Sequence, residues 1–162
     1  QQSSLPLRPA ENRGIPIINK AAAGPAWDYE HHGVDSRQGF SYMERLPGEE
    51  SDDLFAVVVV GDSMEPELRE GDQVVLWPVV PGVPPETIDK QIVFVTFREE
   101  EGGGVCLAEL RLTGDHDDEK GLQADLVKLN PKYKGKRIWL TDLARLALAT
   151  RINRKLSGRS TR

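Results

Sequence analysis

The sequence predicts a mostly β domain of six to nine short strands, closed in part into a sandwich-like or barrel-like unit. Three observations carry this. β-Branched and apolar runs recur at residues 57–60, 91–97 and 105–112. Gly, Pro, Asn and Asp punctuate the intervals as turn signals. Residues 141–152 are the one stretch whose propensity leans to a helix, and there an alternation at Leu146, Leu148 and Thr150 suits a strand equally well.

At 162 residues and 38% hydrophobic content the chain supports one domain with a modest core, plus tails. The single cysteine, Cys106, has no partner for an internal disulfide. The N-terminal residues lack the layout of a signal peptide, and no apolar run approaches the roughly 20 residues that cross a bilayer. A cytoplasmic protein without a membrane association is expected. A net charge of −5 argues against this domain coating nucleic acid by phosphate neutralisation, which needs clustered Lys and Arg.

In chain order, residues 1–14 are polar, carry Pro6 and Pro9, and read as a linker. The chain starts without methionine, which suggests a piece missing upstream. Residues 15–25 begin apolar and pass into Ala21-Ala22-Ala23-Gly24. Such small side chains fit a linker kink, or a peptide that lies in a narrow cleft. Residues 27–53 are polar and turn-rich, compatible with two or three short strands or irregular arms. His31 and His32 are adjacent, His116 is distant, and no Cys or carboxylate spacing completes a ligand set, so neither a metal nor another cofactor is expected.

The run Val57-Val58-Val59-Val60 reads as a buried strand that delivers Ser63 to a sharp turn at Gly61-Asp62. Pro66 can open a short helical turn, and Gly71-Asp72 closes it before a second strand starts near Gln73 and breaks at Pro78. Residues 81–85 form a stiff connector, and 91–97 with 105–112 read as a hairpin. The glycines at 102–104 lack the lysine and spacing of a phosphate loop. An acidic loop at 114–121 leads to a strand at 122–129, ended by Asn130-Pro131. The basic residues between Arg151 and Arg162 read as a solvated, frayed terminus.

The run Gly61-Asp62-Ser63-Met64-Glu65-Pro66, followed by Gly71-Asp72 and an apolar strand, resembles the nucleophile motif of the LexA, UmuD and phage-repressor family of self-cleaving proteins. A weaker form of the motif occurs in signal peptidases, which carry a membrane anchor. The resemblance extends upstream to Ala23-Gly24, at the place of the family's cleavage site. Downstream it takes in the hairpin and Leu129-Asn130-Pro131-Lys132-Tyr133, so that it covers roughly residues 15–152.

The resemblance implies a LexA/signal-peptidase-like fold and hydrolysis of the chain's own Ala23-Gly24 bond by a Ser-Lys pair, with Ser63 as nucleophile. Backbone N–H groups around Ser63, where Asp62 and Met64 flank it, would hold the oxyanion. A lysine serves as base only when burial lowers its pKa from about 10.4 towards neutrality. The family's lysine position is occupied by Ala108, in the run Val105-Cys106-Leu107-Ala108-Glu109-Leu110. A methyl group accepts no proton, so the chain as written should cleave itself very slowly or not at all. Lys90 opens a strand, Lys120 lies in the acidic loop, and Lys128 needs a different register to replace it. Two accounts compete for Ala108: a lysine replaced by design, favoured by the intact Ala23-Gly24, or a natural member that has lost cleavage.

The resemblance further implies a homodimer that binds DNA through a helix-turn-helix domain upstream rather than through this domain, with cleavage stimulated by a RecA filament. It assigns residues 141–152 to a strand against their local propensity. The boundaries that follow are a linker at 1–14, a cleavage-site segment with N-terminal arms at 15–53, the peptidase and dimerisation domain at 54–152 and a basic tail at 153–162. Two other readings remain: a non-catalytic dimerisation or sensor domain of the same fold, and a UmuD-like polymerase accessory protein.

Overall fold

The computed structural model describes residues 14–22 and 41–154, with side chains in the first segment described as far as residue 18. Ala23, Gly24, His31, His32, the linker before Gly14 and the tail beyond Arg154 lie outside the described residues.

Among the described residues nine strands form one mixed sheet: β1 (Ile15–Ala22), β2 (Ser41–Met43), β3 (Phe55–Val60), β4 (Gln73–Pro78), β5 (Gln91–Phe97), β6 (Val105–Asp117), β7 (Gly121–Val127), β8 (Lys136–Trp139) and β9 (Leu143–Asn153). Their order across the sheet is β2-β1-β3-β4-β9-β5-β6-β7-β8, and it does not close into a barrel. The β1–β3 pair is parallel and the other pairs are antiparallel. Among the described residues one short helix, α1 (Pro85–Ile88), starts on a proline whose fixed φ suits a first helical position. The mostly β fold expected from the sequence is therefore the observed one.

Alternation along the central strands sends side chains to two faces, and each face has its own core. Val57, Val59, Val74, Leu76, Phe94, Val105 and Leu107 pack on one face, under Met64 and Leu68. Val93, Val95, Cys106, Ala108 and Leu110 pack on the other, with Ala124, Leu126, Ile138 and Leu143. The same alternation settles β9. Ala147 and Ala149 turn to the crowded first face, while Leu146 and Leu148 cover the second, and β4 and β5 flank the strand on both sides. Leu and Ala favour a helix in isolation, but two ladders and two apolar faces outweigh a few tenths of a kcal/mol per residue of propensity.

The acidic stretch departs from its reading as a loop over 114–121. Gly114 takes φ +96° at an irregularity in the ladder between Leu112 and His116, so β6 continues to Asp117 and pairs His116 with Leu122. A left-handed glycine lets the strand bulge and resume. No helix forms after Pro66. Residues 61–71 are turns, with a single helix-like bond from the Leu68 N–H to the Met64 carbonyl at 3.0 Å.

Candidate active site

At the end of β3, Gly61 adopts φ +86°, a region that side-chain-bearing residues rarely enter, and the chain turns out of the sheet there. Two bonds fasten the base of the turn. The Val59 N–H donates to the Asp72 carbonyl and the Gly71 N–H to the Val59 carbonyl, both at 2.9 Å. Met64 and Leu68, both fully buried, anchor its interior, each contributing roughly 2 kcal/mol by removing apolar surface from water.

Asp72 fixes the far end. It is 2% exposed; its carboxylate accepts the Arg69 N–H at 2.8 Å and, at 2.8–3.2 Å, the Nε and Nη2 of Arg154. Burial alone pushes this carboxyl up, but the Arg154 guanidinium and the Arg69 amide outweigh it and hold the pKa below the usual carboxylate value.

The turn is then clamped from outside by the segment that follows β7. The Asn130 N–H donates to the Ser63 carbonyl at 3.0 Å, and the Asn130 Nδ2 donates to the Asp62 carbonyl at 2.9 Å. The Tyr133 hydroxyl donates to Asp62 Oδ1 at 2.5 Å, with Lys132 Nζ at 3.7 Å from Oδ2. These contacts hold the Asp62 carboxyl below its ordinary value, the phenol bond first and the Lys132 charge adding to it. The sequence reading included residues 129–133 in the resemblance without assigning them work. An Asn placed just after a strand and before Pro, with an aromatic three residues on, is the pattern that could have pointed to a clamp.

Inside this frame Ser63 is 3% exposed, and its Oγ has no hydrogen-bond partner among the described residues. A buried hydroxyl left unpaired costs about 1–3 kcal/mol, which is an unusual expense for a turn residue.

Ala108 lies on β6, fully buried, paired with Val93 and packed in the second-face core. Its preceding neighbour Leu107 faces the same core as Met64. The other lysines weighed from the sequence separate clearly. Lys90 is the turn residue before β5, at φ +65°, and Lys120 stacks its ammonium 5.7 Å from the Trp139 ring centroid. Lys128, just past β7, donates from Nζ to the Leu107 carbonyl at 2.7 Å. Burial pushes its pKa below the ordinary lysine value. Burial likewise pushes the Cys106 thiol up, which makes it a poor nucleophile.

Among the described residues, no group of three His, Cys, Asp or Glu side chains is arranged to hold a metal ion. No helix among them is long and apolar enough to cross a membrane. The arrangement offers a buried serine on a braced turn, suited to nucleophilic attack once a base is supplied.

The sequence model of the peptidase S24-like family matches residues 16–142, which takes in the serine turn, the β5–β6 hairpin and the clamp segment. No curated protein sequence matches the chain.

Proposed function

Since the chain belongs to the peptidase S24-like family, the group of LexA, UmuD and phage-repressor C-terminal domains, we propose that it is the self-cleavage and dimerisation domain of a LexA-like repressor. Its substrate is its own Ala23-Gly24 bond. Attack by a group on the same chain replaces binding affinity with proximity. The observation that carries the reading is the buried, unpaired Ser63 Oγ on a turn braced from both sides.

Cleavage is slowed in this chain because Ala108 stands at the base position. General bases contribute typically 100- to 10,000-fold, and a methyl group contributes nothing. The remaining roles follow from the family reading. The domain pairs with a second copy, a helix-turn-helix domain upstream reads a palindromic operator, and a RecA filament on damaged DNA triggers the cut in the cytoplasm. Separation of reader from dimeriser then releases the operator through lost avidity.

The test is Ala108→Lys, incubated at pH 7 to 10 and followed by intact mass. Cleavage at Ala23-Gly24 that disappears in Ala108→Lys/Ser63→Ala supports the reading. An uncut Ala108→Lys chain that remains folded sinks it, and favours the non-catalytic dimerisation or sensor domain, for which the complete apolar packing around Ala108 speaks.

A further inference from the structure

We propose that the end of the sheet where β5, β6, β7 and β8 meet is a binding site for a small phosphate monoester with a compact apolar body, its phosphate held by Lys128, Lys134 and Lys136. The inference is independent of the self-cleavage reading and uses no residue of the serine turn.

The site is a cavity of about 310 Å³, at the lower end of the range for small-molecule pockets. Four neighbouring strands build it. Phe97 ends β5, Val105 and Cys106 open β6, Leu126 comes from β7, and these apolar side chains line the cavity. The ladder between β7 and β8 sets Lys136 opposite Leu126, and opposed residues of an antiparallel pair share a face. Lys128 lies two residues beyond Leu126 and lines the same cavity. Gly135 brings in the third amine. A Cβ there would collide with the Leu126 carbonyl, so the missing side chain lets the segment press against β7 and carry Lys134 and Lys136 to the cavity together. Gly102 and Gly103 form another part of the rim, with left-handed φ of +101° and +65°. A Cβ on either would meet nothing, which leaves that side open as an entrance.

Charge is the second observation. The chain carries a net −5, and Arg111, Arg137, Arg151 and Arg154 each lie against a carboxylate. Among the described residues none of the three cavity lysines does. Lys128 Nζ donates to the Leu107 carbonyl, and Lys136 Nζ sits 4.8 Å from the Phe97 ring centroid. Glu101 is the one carboxylate-bearing residue among those that line the cavity. Three ammonium groups against one carboxylate leave positive charge in excess, and a phosphate monoester, close to a dianion at neutral pH, offsets it. Burial pushes the Lys128 amine below its ordinary pKa, and an anion beside it would restore the charged form.

The ligand class follows from these two halves. Lysines bind phosphate as point charges, and the three terminal oxygens of a monoester match three amines. The apolar floor gives no contact to a bare ion, but it removes the surface of an organic group from water.

The experiment titrates phenyl phosphate into the full chain at physiological ionic strength, read by calorimetry and by the backbone amide NMR shifts of Gly102, Gly103 and Gly135. Saturable binding that shifts these glycines is expected, with inorganic phosphate and benzoate each at least about 10-fold weaker, since one lacks the apolar body and the other the second charge. Lys134→Ala and Lys136→Ala, both at exposed positions, should each weaken binding about 10-fold. Glu101→Gln should tighten it, a gain that a damaged fold would not produce. Lys120→Ala, beside a different cavity, should leave it unchanged. A folded chain that shows no saturable binding overturns the proposal. So does binding that survives the Lys134→Ala/Lys136→Ala double variant at full strength, and so does inorganic phosphate that binds as tightly as phenyl phosphate.

Discussion

The serine turn and the stretch of β6 around Ala108 are stabilised in opposite ways. The turn is irregular backbone, so its peptide groups find partners outside any ladder: Asn130, Arg69 and Arg154 supply links to Ser63, Asp62 and Asp72. Position 108 lies inside a ladder that already satisfies its backbone, and only its side chain is left to choose. An alanine there completes an apolar core, whereas a lysine would bury an amine. A side chain without an amine at position 108 is therefore free for the fold, while loss of the clamp is not.

The strongest way to break this contrast is to place an amine at position 108. Ala108→Lys should cost roughly 3–5 kcal/mol at pH 7, because the site is fully buried among apolar side chains. The sign with pH follows from linkage. A buried lysine has its folded pKa below its unfolded one, so between the two the unfolded chain binds more protons and stability rises with pH. Thermal melts at pH 7 and pH 10 should show the deficit shrinking at the higher pH. An equal deficit at both would mean that steric overpacking, rather than charge burial, sets the cost.

Next in size comes the inner brace. Asp72→Ala removes a carboxylate that is 2% exposed and accepts from both Arg154 and the Arg69 amide. Charge-assisted bonds of this kind suggest a loss of about 3 kcal/mol, or roughly 10 °C in midpoint. The Asp72 pKa is depressed in the fold, so its contribution is present above the ordinary carboxylate pKa of about 3.9 and is lost as pH falls through the folded value. Melts of wild type and variant should thus converge in acid.

Asn130→Ala tests the outer clamp and should cost about 1–2 kcal/mol, since the bond from the Asn130 N–H to the Ser63 carbonyl survives while the side-chain bond to Asp62 is lost. In an Ala108→Lys background it should slow cleavage about 10- to 100-fold by loosening the aim of Ser63. An unchanged rate would show that the turn needs no help from residues 129–133.

The same division explains what could be read from the sequence. Val57–Val60, the hairpin and the Gly61-Asp62-Ser63 turn are encoded locally, by β-branched runs and glycine, and the observed strands fall on them. β9 defied its propensity because Ala147 and Ala149 mean something only beside β4 and β5, which lie far away in sequence. β8 escaped notice because it is a four-residue edge strand with Lys136 and Arg137 exposed, the composition by which edges avoid pairing with other chains. The link from Asp72 to Arg154 and the approach of Lys128 to Leu107 join residues whose proximity exists only after the sheet has formed.

Tyr133→Phe offers the smallest effect and the finest test. The phenol donates to an Asp62 carboxylate that is 40% exposed, so water takes over most of what the bond supplies. The Asp62 pKa should rise towards the ordinary value when its largest lowering contact goes, with Lys132 still holding it slightly down, and a carbon-detected NMR titration would read the change. Since the folded pKa is depressed, any stability lost in the variant should be visible above about pH 4 and vanish below the folded value. In an Ala108→Lys background cleavage should stay within about threefold, because both Asn130 bonds to the turn remain. A large loss of rate with an unchanged Asp62 titration would instead give Tyr133 a part in aligning Ser63, and the outer clamp would then consist of two residues acting together.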